Sequence, residues 1–402
     1  MVDSGLYDGF SVDRIIFSAG APSESTTANA DDPLVALLFE RVVANFRPDI
    51  VHFFHFMRIT MSPLAVCRKL KIPVVMTPTD FWLLCPAVQL RDPVEGNFCL
   101  GPKRNAANCI RHFAVESVPR GMRGLTAAMP LPAYATAITV LRHVPAFPSQ
   151  SLRRSIALAN RPPLIGRLIE QVDHFFAPTR QMQRMLGALG VAPVNASLTP
   201  FGIPLPADRH QATRIGDRHA SLRLGFIGTL AEHKGAKVLL EALRKLPDAD
   251  LRVNVYGAVA DFPAYAGELI ALASVDERVK MLGEFPAEDI GKVLSQLDAL
   301  VIPSLWHENV PLVMLSALAV GCPVIASDVS GVTDYVLHGI NGLLFSPGDS
   351  AALAEQLARL NAEPDLLARL GDAATMPRSI EDYVAEIELR YQRLTRQQRH
   401  PS

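Results

Sequence analysis

Short apolar runs alternate with helical stretches along the second half of the chain. Strands are predicted at Arg223–Gly228, Leu251–Tyr256 and Ala299–Pro303, and helices at Gly235–Leu246 and Ala287–Leu297. This alternation is typical of a parallel sheet covered by helices. The pattern continues with helix Pro311–Val320, strand Pro323–Ala326, strand Gly342–Phe345 and helix Ser350–Leu360. Residues 209–377 are therefore predicted to form one doubly wound α/β domain.

The first half of the chain repeats this pattern less completely. Residues 199–208 are rich in Pro and Gly, which suits a linker, so the first Rossmann-like domain is predicted to span residues 1–208. Residues 113–163 predict an irregular helical insertion. The amphipathic run Ile380–Leu394 predicts a helix that packs back across both lobes, within a terminal segment 378–402. The strands predicted in this half are Arg14–Phe17, Asp49–Phe53, Ile72–Met76, Asp173–Ala177 and Leu198–Pro200.

The composition is that of two globular domains. The chain has 402 residues, of which 49% are hydrophobic and 20% charged, so it is long enough for two cores. Its formal net charge is -1, and no basic tract marks a surface for nucleic acid. We therefore expect no nucleic-acid partner.

The sequence predicts no transmembrane helix. The most apolar stretch, Leu125–Phe147, is interrupted by Pro130, Pro132 and Pro145, so it is not a continuous span. The first ten residues lack the features of a secretory signal, and five cysteines in so long a chain suit a reducing compartment. We therefore expect a cytoplasmic protein. The mean hydropathy of +0.19 leaves two interpretations open, an Ala/Leu-rich core or a surface in peripheral contact with the inner membrane face.

The loop after the first strand of the second domain, Gly228–Gly235, carries residues that suit a phosphate. Ligands of open α/β sheets bind at the carboxyl ends of the strands. Gly228 permits close approach of a phosphate, and Lys234 offers a positive charge beside the start of a helix. The alternative is that Gly228 and Lys234 have only a structural role in the loop between the strand and the helix.

A second strand-end loop holds His307, Glu308 and Asn309 before a helix predicted to start at Pro311. An anionic diphosphate suits the positive end of that helix, and Glu308 would accept hydrogen bonds from sugar hydroxyls. A site that binds a diphosphate at the helix end and sugar hydroxyls at Glu308 fits a nucleotide sugar. The alternative makes Asn309 a helix cap and Glu308 a solvated loop acid.

Together these stretches resemble the donor domain of glycosyltransferase family 4, which has the GT-B fold of two Rossmann-like domains facing a cleft. The resemblance covers residues 222–360, with G-x5-KG at Gly228–Gly235, PS-x3-E ending at Glu308, ALAVGCPVIAS, and GVTDYVLHGINGLLFSPGD. It implies a retaining glycosyltransferase that moves a hexosyl or related group from a nucleotide-sugar donor to a glycan, lipid-linked or small-molecule acceptor. It also implies that no metal or other cofactor is required for catalysis. Lys234 would bind the diphosphate and Glu308, as a catalytic residue, the donor sugar.

The first domain resembles the acceptor side of the same family at residues 45–112, through FRPDIVHFFHF and IPVVMTPTDFWLLCP. His52, His55 and Asp80 fall at or beyond predicted strand ends. We expect His55 and Asp80 to face the cleft and position an acceptor hydroxyl, as further catalytic residues. Histidines with a purely structural role are the alternative.

The sequence departs from the family pattern at several positions. Thr229 replaces an arginine that commonly helps to neutralise the diphosphate, so Lys234 would carry more of that charge, with help from His233. Ser316 replaces the second acid of E-x7-E and is expected to bind a ribose hydroxyl. Thr79 replaces a histidine. The first domain is also expected to lack its initial strand-helix-strand unit.

Cys85, Cys99, Cys109 and His112 form a mixed thiolate and imidazole set. Such a set predicts a tetrahedral structural zinc site that fastens a long loop. Unlinked buried thiols are the alternative.

Three functions other than glycosyl transfer are alternatives for this chain. A nicotinamide dehydrogenase is excluded because no G-x-G-x-x-G follows a predicted strand. A GT-B nucleotide-sugar epimerase would keep the donor site without an acceptor. A non-enzymatic or inactive nucleotide-sugar-binding protein fits the replacements Thr79, Thr229 and Ser316.

Overall fold

The computed structural model describes residues 2–16, 30–57, 59–92, 94, 96, 98–141, 150–206, 221–363 and 365–399. The chain divides into two compact units, Met1–Thr199 with Glu388–Ser402, and Pro200–Ile387. We call them unit 1 and unit 2. The boundary predicted at residue 208 lies outside the described residues. In the part of the chain that is described, no helix is long and apolar enough to cross a membrane.

Unit 2 is built on a six-stranded parallel sheet. Its strands are β7 (Leu222–Ile227), β8 (Leu251–Tyr256), β9 (Val279–Gly283), β10 (Ala299–Ile302), β11 (Val324–Ser327) and β12 (Gly342–Phe345). They are ordered β12-β11-β10-β7-β8-β9, a doubly wound order that reverses beside β7. The α-helices of this unit are Ala236–Arg244, Pro263–Ala273, Ile290–Ser295, Leu312–Ala319, Ser350–Ala362 and Leu366–Asp372.

Apolar side chains cover both faces of this sheet. One core cluster includes Leu224, Val253 and Leu239, and a second includes Leu300, Met314 and Val324. Central parallel strands are buried on both faces, which explains why β10 and β11 read as unbroken apolar runs. The predicted strands and helices of this domain match the observed ones closely, except that strand β9 and helices Pro263–Ala273 and Leu366–Asp372 were not predicted.

Unit 1 contains a smaller parallel sheet ordered β3-β4-β5-β6. Its strands are β3 (Val51–Phe53), β4 (Val74–Met76), β5 (His174–Ala177) and β6 (Ala196–Leu198). The strand predicted at Leu198–Pro200 is displaced by two residues from β6, although the N–H of Thr199 still donates to the Ala177 carbonyl of β5 at 2.7 Å. The helices of this unit are Pro33–Phe46, Ser62–Lys69, Ala107–Ser117, Arg123–Ala128, Leu131–Leu141, Gln150–Ile169 and Arg180–Ala188.

The strand predicted at Arg14–Phe17 is not part of that parallel sheet. Strand β2 (Phe10–Ile15) instead pairs antiparallel with β1 (Val2–Tyr7), and Phe17 lies outside the described residues. Asp8 and Gly9 join the two strands with φ of 51° and 81°. Positive φ at both turn residues marks the tight hairpin turn that Asp-Gly favours, a signal that the sequence analysis missed.

The predicted insertion is mostly regular helix. Residues from three of its helices pack around Ile110, Phe113, Tyr134 and Leu158 in a separate apolar cluster. Pro130 precedes helix Leu131–Leu141 and Pro132 lies in its first turn, where a missing N–H costs nothing, whereas Pro162 and Pro163 lie inside helix Gln150–Ile169.

The last helix, Ile380–Arg399, contributes to both units. Its residues up to Ile387 belong to unit 2, and those from Glu388 belong to unit 1. In unit 2, the ring of Tyr383 lies 6.0 Å from that of Phe201. In unit 1, the hydroxyl of Tyr391 is hydrogen-bonded to His52 Nδ1.

Candidate functional site

Two strand-end loops of unit 2 meet because β7 and β10 are neighbours in the sheet. The loop after β7 ends in a short 3-10 helix, Glu232–Lys234, and the loop after β10 runs from Pro303 to Pro311. The N–H of Leu305 donates to the carbonyl of His233 at 2.8 Å. The two loops that the sequence marked as chemically interesting are therefore fastened together.

Gly235 makes this close approach feasible. It has a φ of +73°, and a Cβ at this position would lie 1.8 Å from the carbonyl oxygen of Pro303. Both the left-handed backbone and the missing side chain are needed, and glycine supplies them. The helix that follows, Ala236–Arg244, buries an apolar face that includes Val238, Leu239 and Leu243.

Glu308 is buried, with 6% of its surface exposed, and it accepts hydrogen bonds from three side chains. Ser304 Oγ donates to Oε1 at 2.6 Å, and Trp306 Nε1 donates to the same oxygen at 3.0 Å. Lys234 Nζ lies 2.8 Å from Oε1 and 3.0 Å from Oε2. These donors offset the free-energy cost of burying the carboxylate. Glu308 is therefore no solvated loop acid.

Trp306 also contacts the other members of this group. Lys234 Nζ lies 5.3 Å from the centroid of its ring, within the range of a cation–π interaction. The ring of His233 lies 3.8 Å from that of Trp306. Burial, and then the charge of Lys234, lower the pKa of His233 to about 4. At neutral pH His233 is therefore uncharged, and Lys234 carries the positive charge of the group.

We call Lys234, Ser304, Trp306 and Glu308 the carboxylate cluster. A positive group and a negative group are thus held side by side at the carboxyl ends of two central parallel strands. That is where α/β sheets bind ligands. Lys234 can bind an anion such as a diphosphate, and Glu308 can accept hydrogen bonds or stabilise positive charge.

The remaining predicted donor-site residues lie in the same two loops and in the helix that follows the second loop. Gly228 directly follows β7, and its N–H donates to the carbonyl of Tyr256 at 3.1 Å. Thr229, the next residue, is half-buried. Ser316 Oγ donates to the carbonyl of Leu312 at 3.2 Å, within its own helix. Asn309 is buried. It is not the helix cap, because the N-cap position of helix Leu312–Ala319 is Pro311, and no side chain caps this helix.

His55 and Asp80 lie in unit 1, in the loops that follow β3 and β4. These loops are joined, because Thr79 donates its backbone N–H and its hydroxyl to the carbonyl of Phe54, at 3.0 and 2.9 Å. Asp80 Oδ1 accepts the N–H of Trp82 at 2.9 Å. Burial raises the pKa of Asp80, while charges on His55 and Arg161 lower it. The two predicted acceptor-side residues are thus electrostatically coupled.

His52, by contrast, is a structural histidine. Its Nε2 is 2.8 Å from Thr77 Oγ1, and its Nδ1 is bonded to the Tyr391 hydroxyl. Burial lowers its pKa to about 4. His52 therefore links Tyr391 of the last helix to Thr77 directly after β4, with one ring nitrogen bonded to each.

The three cysteines and His112 of the predicted zinc site line one small cavity. Among the residues that the structure describes, however, no three His, Cys, Asp or Glu side chains are grouped as metal ligands. His112 Nε2 is 3.0 Å from Glu116 Oε1, and Cys99 Sγ accepts from Asn108 Nδ2 at 3.3 Å. Burial raises the pKa of Cys85, and that of Cys109 to about 12. In the described part of the chain the four side chains share a cavity without forming a ligand set, the thiols are unlinked, and the zinc site stays a prediction.

The carboxylate cluster lies in the part of the chain that matches a known protein family. Residues 214–376 match the family model described as Glycosyl transferases group 1. This range contains both loops and all four cluster residues.

Relatives of the chain bear names that agree with this domain. It is 30% identical over 204 residues to the amylovoran biosynthesis glycosyltransferase AmsK of Erwinia amylovora, covering 48% of this chain and 49% of that protein. It is 32% identical over 222 residues to the D-inositol 3-phosphate glycosyltransferase of Nocardia farcinica, covering 51% of this chain and 48% of that protein. The chain spans about half the length of these curated relatives.

Solved structures show the same fold over more of the chain. Anabaena HepE in complex with UDP and glucose has a TM-score of 0.61 at 16% identity, covering 90% of this chain and 81% of that chain. Sucrose-phosphate synthase from Thermosynechococcus elongatus has a TM-score of 0.60 at 17% identity, covering 94% and 80%. Both are GT-B glycosyltransferase structures. The chain therefore has the predicted α/β GT-B fold.

Two members of the carboxylate cluster were not predicted from the sequence. Ser304 and Trp306 lie inside the PS-x3-E motif that ends at Glu308, and an aromatic residue two positions before the acid was the available signal. In unit 1, Arg161 was also missed. It is only 3% exposed, donates to the carbonyls of Trp82 and Leu83, and so supports the segment after Asp80.

Proposed function

We propose that the chain is a retaining glycosyltransferase that moves a sugar from a nucleotide-sugar donor to a glycan, lipid-linked or small-molecule acceptor. The observation that carries this proposal is the carboxylate cluster, a buried Glu308 with three donors inside a group 1 glycosyltransferase domain. We place the reaction in the cytoplasm, where nucleotide sugars are available as substrates.

The cluster offers separate roles for its two charged residues. Lys234 is 26% exposed along its side chain and Glu308 only 7%, so the ammonium is the more accessible partner for an incoming diphosphate. As the bond between sugar and diphosphate weakens, positive charge develops on the sugar and negative charge on the leaving group. Glu308 would stabilise the first and Lys234 the second, and interactions that strengthen in this way accelerate the reaction.

The comparisons suggest which donor to test first. Structures of Anabaena HepE were solved with UDP and with UDP-glucose. The name of AmsK refers to amylovoran biosynthesis, which favours a polysaccharide-related acceptor. A uridine diphosphate sugar as donor and a glycan as acceptor are therefore the first pair to examine.

On the acceptor side, Asp80 and His55 are the residues we propose to position the acceptor hydroxyl. Burial raises the pKa of Asp80, which suits a carboxylate that accepts a proton or a hydrogen bond from a hydroxyl group. No metal is assigned a step, because Lys234 supplies the positive charge for the leaving group.

The test has two stages. Thermal unfolding with a panel of nucleotide sugars identifies the donor, since a ligand of the native state raises the apparent stability. Donor hydrolysis and transfer to candidate glycans are then measured for the wild type and for Glu308→Gln. Binding without turnover would indicate a non-enzymatic binding protein, and an altered nucleotide sugar formed without acceptor would indicate an epimerase. No binding of any nucleotide sugar would refute the proposal.

A further inference from the structure

Three cysteines and one histidine of unit 1 lie around a single cavity that the proposed transfer reaction does not use. We call them the thiol–imidazole group. The group consists of Cys85, Cys99, Cys109 and His112, which all line the cavity. The cavity has a volume of about 20 Å³, which is room for about one water-sized sphere. It therefore suits a single ion and is too small for an organic ligand.

Backbone contacts return Cys99 to the segment that follows Cys85. Arg91 and Phe98 pair in an isolated antiparallel bridge, so the two ends of this loop are held together. The N–H of Cys99 then donates to the carbonyl of Leu90 at 2.7 Å. Two cysteines from separate positions of one loop are thereby brought to the same cavity.

The other two members of the group lie on one helix. Cys109 and His112 are three positions apart in helix Ala107–Ser117, so they lie on the same side of it. His112 Nε2 is 3.0 Å from Glu116 Oε1. Because a carboxylate only accepts, Nε2 carries the proton of the neutral imidazole, and Nδ1 is the nitrogen that can bind a metal. A carboxylate that holds the second nitrogen is the usual neighbour of a metal-binding histidine.

The sulfur of Cys99 already receives two N–H groups. It accepts from the backbone N–H of Gly101 at 3.4 Å and from Asn108 Nδ2 at 3.3 Å. Asn108 is buried, and its side-chain oxygen accepts the N–H of Lys103 at 2.7 Å, so the amide is held in place. Donors directed at a sulfur stabilise the thiolate, which is the form that binds a metal.

A buried cation lies beside the group. Arg161 is only 3% exposed, and it donates to the carbonyls of Trp82 and Leu83, shortly before Cys85. Burial lowers the pKa of Arg161 to about 10, whereas the charges of Cys85 and Cys109 raise it. The guanidinium is therefore close enough to interact with two of the sulfurs. Three thiolates, a neutral imidazole and one Zn²⁺ carry a single net negative charge, which this cation balances.

We propose that the thiol–imidazole group binds one Zn²⁺ in a tetrahedral structural site, through three thiolate sulfurs and His112 Nδ1. Thiolate and imidazole ligands favour zinc, and four protein ligands close the site to a substrate. Each thiol releases its proton to solvent as its sulfur binds the ion. In the described part of the chain the four side chains are not grouped as metal ligands, so binding turns them toward the cavity that they share.

The bound ion joins the loop after β4 to helix Ala107–Ser117. In this loop Val88 and Leu90 have φ of 67° and 48°, values that bulky residues rarely adopt. Such a backbone persists only where the surrounding structure holds it, and a cross-link through zinc does so. The site uses none of the carboxylate cluster, so its test is independent of the proposed function.

Metal analysis of the purified full chain tests the site. The wild type should contain about one zinc ion per chain after dialysis, and its Co²⁺-substituted form should show the absorption of tetrahedral cobalt together with thiolate charge-transfer bands. Cys99→Ala and Cys109→Ala should each lose this zinc. Glu116→Gln should lower the zinc affinity about 10- to 100-fold, because the imidazole loses the carboxylate that orients it, while the shape of the cobalt spectrum is kept.

Cys67→Ala is the matched control, because Cys67 is a fully buried thiol of the same unit that does not line the cavity. It should keep both the zinc and the cobalt spectrum. The spectrum of the wild type decides the proposal even where a ligand variant fails to fold. A wild type without zinc and without a tetrahedral cobalt spectrum would overturn the proposal. A disulfide within the group, or equal loss of zinc from Cys67→Ala and the two ligand variants, would do the same.

Discussion

Trp306 donates its indole N–H to Glu308 Oε1 at 3.0 Å, so the aromatic side chain that precedes the acid in its motif also orients it. The same ring lies 5.3 Å from Lys234 Nζ. One residue therefore contacts both charged members of the carboxylate cluster. Because Trp306 touches Glu308 and not the reacting atoms, we regard it as a positioning residue.

Two substitutions of Trp306 should distinguish the effect of its contact with Glu308 from that of its contact with Lys234. Trp306→Phe keeps an aromatic face for Lys234 but removes the N–H donor, and Trp306→Ala removes both. We expect kcat to fall about tenfold in Trp306→Phe, the equivalent of one hydrogen bond to a charged group, with KM for the donor little changed. Trp306→Ala should also raise the donor KM. Steady-state kinetics of both variants check this, and identical effects on kcat and KM would contradict it.

Glu308→Gln tests whether turnover depends on the negative charge of the Glu308 carboxylate. The amide keeps the shape of the side chain and can still accept from Ser304 and Lys234, but it lacks the negative charge that the transition state requires. Turnover should fall by about a hundredfold or more, in the range found when one electrostatic contact in an active site is removed, while the Kd of the free nucleoside diphosphate changes little. Wild-type turnover in this variant would remove Glu308 from the mechanism.

Lys234→Met provides the matched comparison. It keeps an unbranched side chain but removes the ammonium, so nucleoside diphosphate and nucleotide sugar should both bind more weakly. The change also leaves the buried Glu308 with two neutral donors, which should lower the free energy of unfolding by about 1–3 kcal/mol after allowance for the partly exposed pair. Calorimetric titration and urea unfolding measure the two effects. Unchanged diphosphate affinity would contradict the role of Lys234.

Gly235→Ala tests the close approach of the two loops. The added Cβ would meet the Pro303 carbonyl at 1.8 Å, so the loops must separate. Gly339→Ala is the control, because Gly339 has a similar φ of +75° with nothing within 4 Å of its Cβ. The control should cost about 1 kcal/mol of strain, and Gly235→Ala clearly more, together with weaker donor binding. Equal unfolding free energies for the two variants would show that the contact with Pro303 is unimportant.

His52 should make the protein sensitive to acid. Its pKa is about 4 in the folded chain, against an ordinary value of 6.5, so between these values the unfolded state binds more protons. Stability should therefore be complete above about pH 6.5 and fall as the pH drops toward 4, by up to about 3 kcal/mol from this residue. Urea unfolding across this range should show a shallower decline for His52→Gln than for the wild type.

Tyr391→Phe is the control for this pH dependence. It removes the hydroxyl that bonds to His52 Nδ1 but leaves the imidazole buried. The variant should lose about 1 kcal/mol at neutral pH and keep the acid-dependent decline of the wild type. An unchanged decline in His52→Gln would assign the acid sensitivity to other groups, such as His233.

The sequence by itself determined most of unit 2. Strands β8 and β12 were predicted to the residue, because buried parallel strands such as β10 (ALVI) leave long apolar runs between clear turn signals. It also marked Lys234 and Glu308, since polar residues directly after such strands must lie at the ligand edge of the sheet. Unit 1 was predicted less well, because the strands of its parallel sheet, three or four residues each, carry little periodic signal.

Only the tertiary structure decided how these residues interact. Lys234 and Glu308 are 74 positions apart, and no local pattern states that β7 and β10 are neighbours or that Gly235 lets their loops touch. The partners of His52 and the cavity shared by Cys85, Cys99 and Cys109 likewise depend on side chains from distant segments. Periodicity reports which face of an element is buried, whereas contacts between elements arise from packing, which a single sequence does not encode locally.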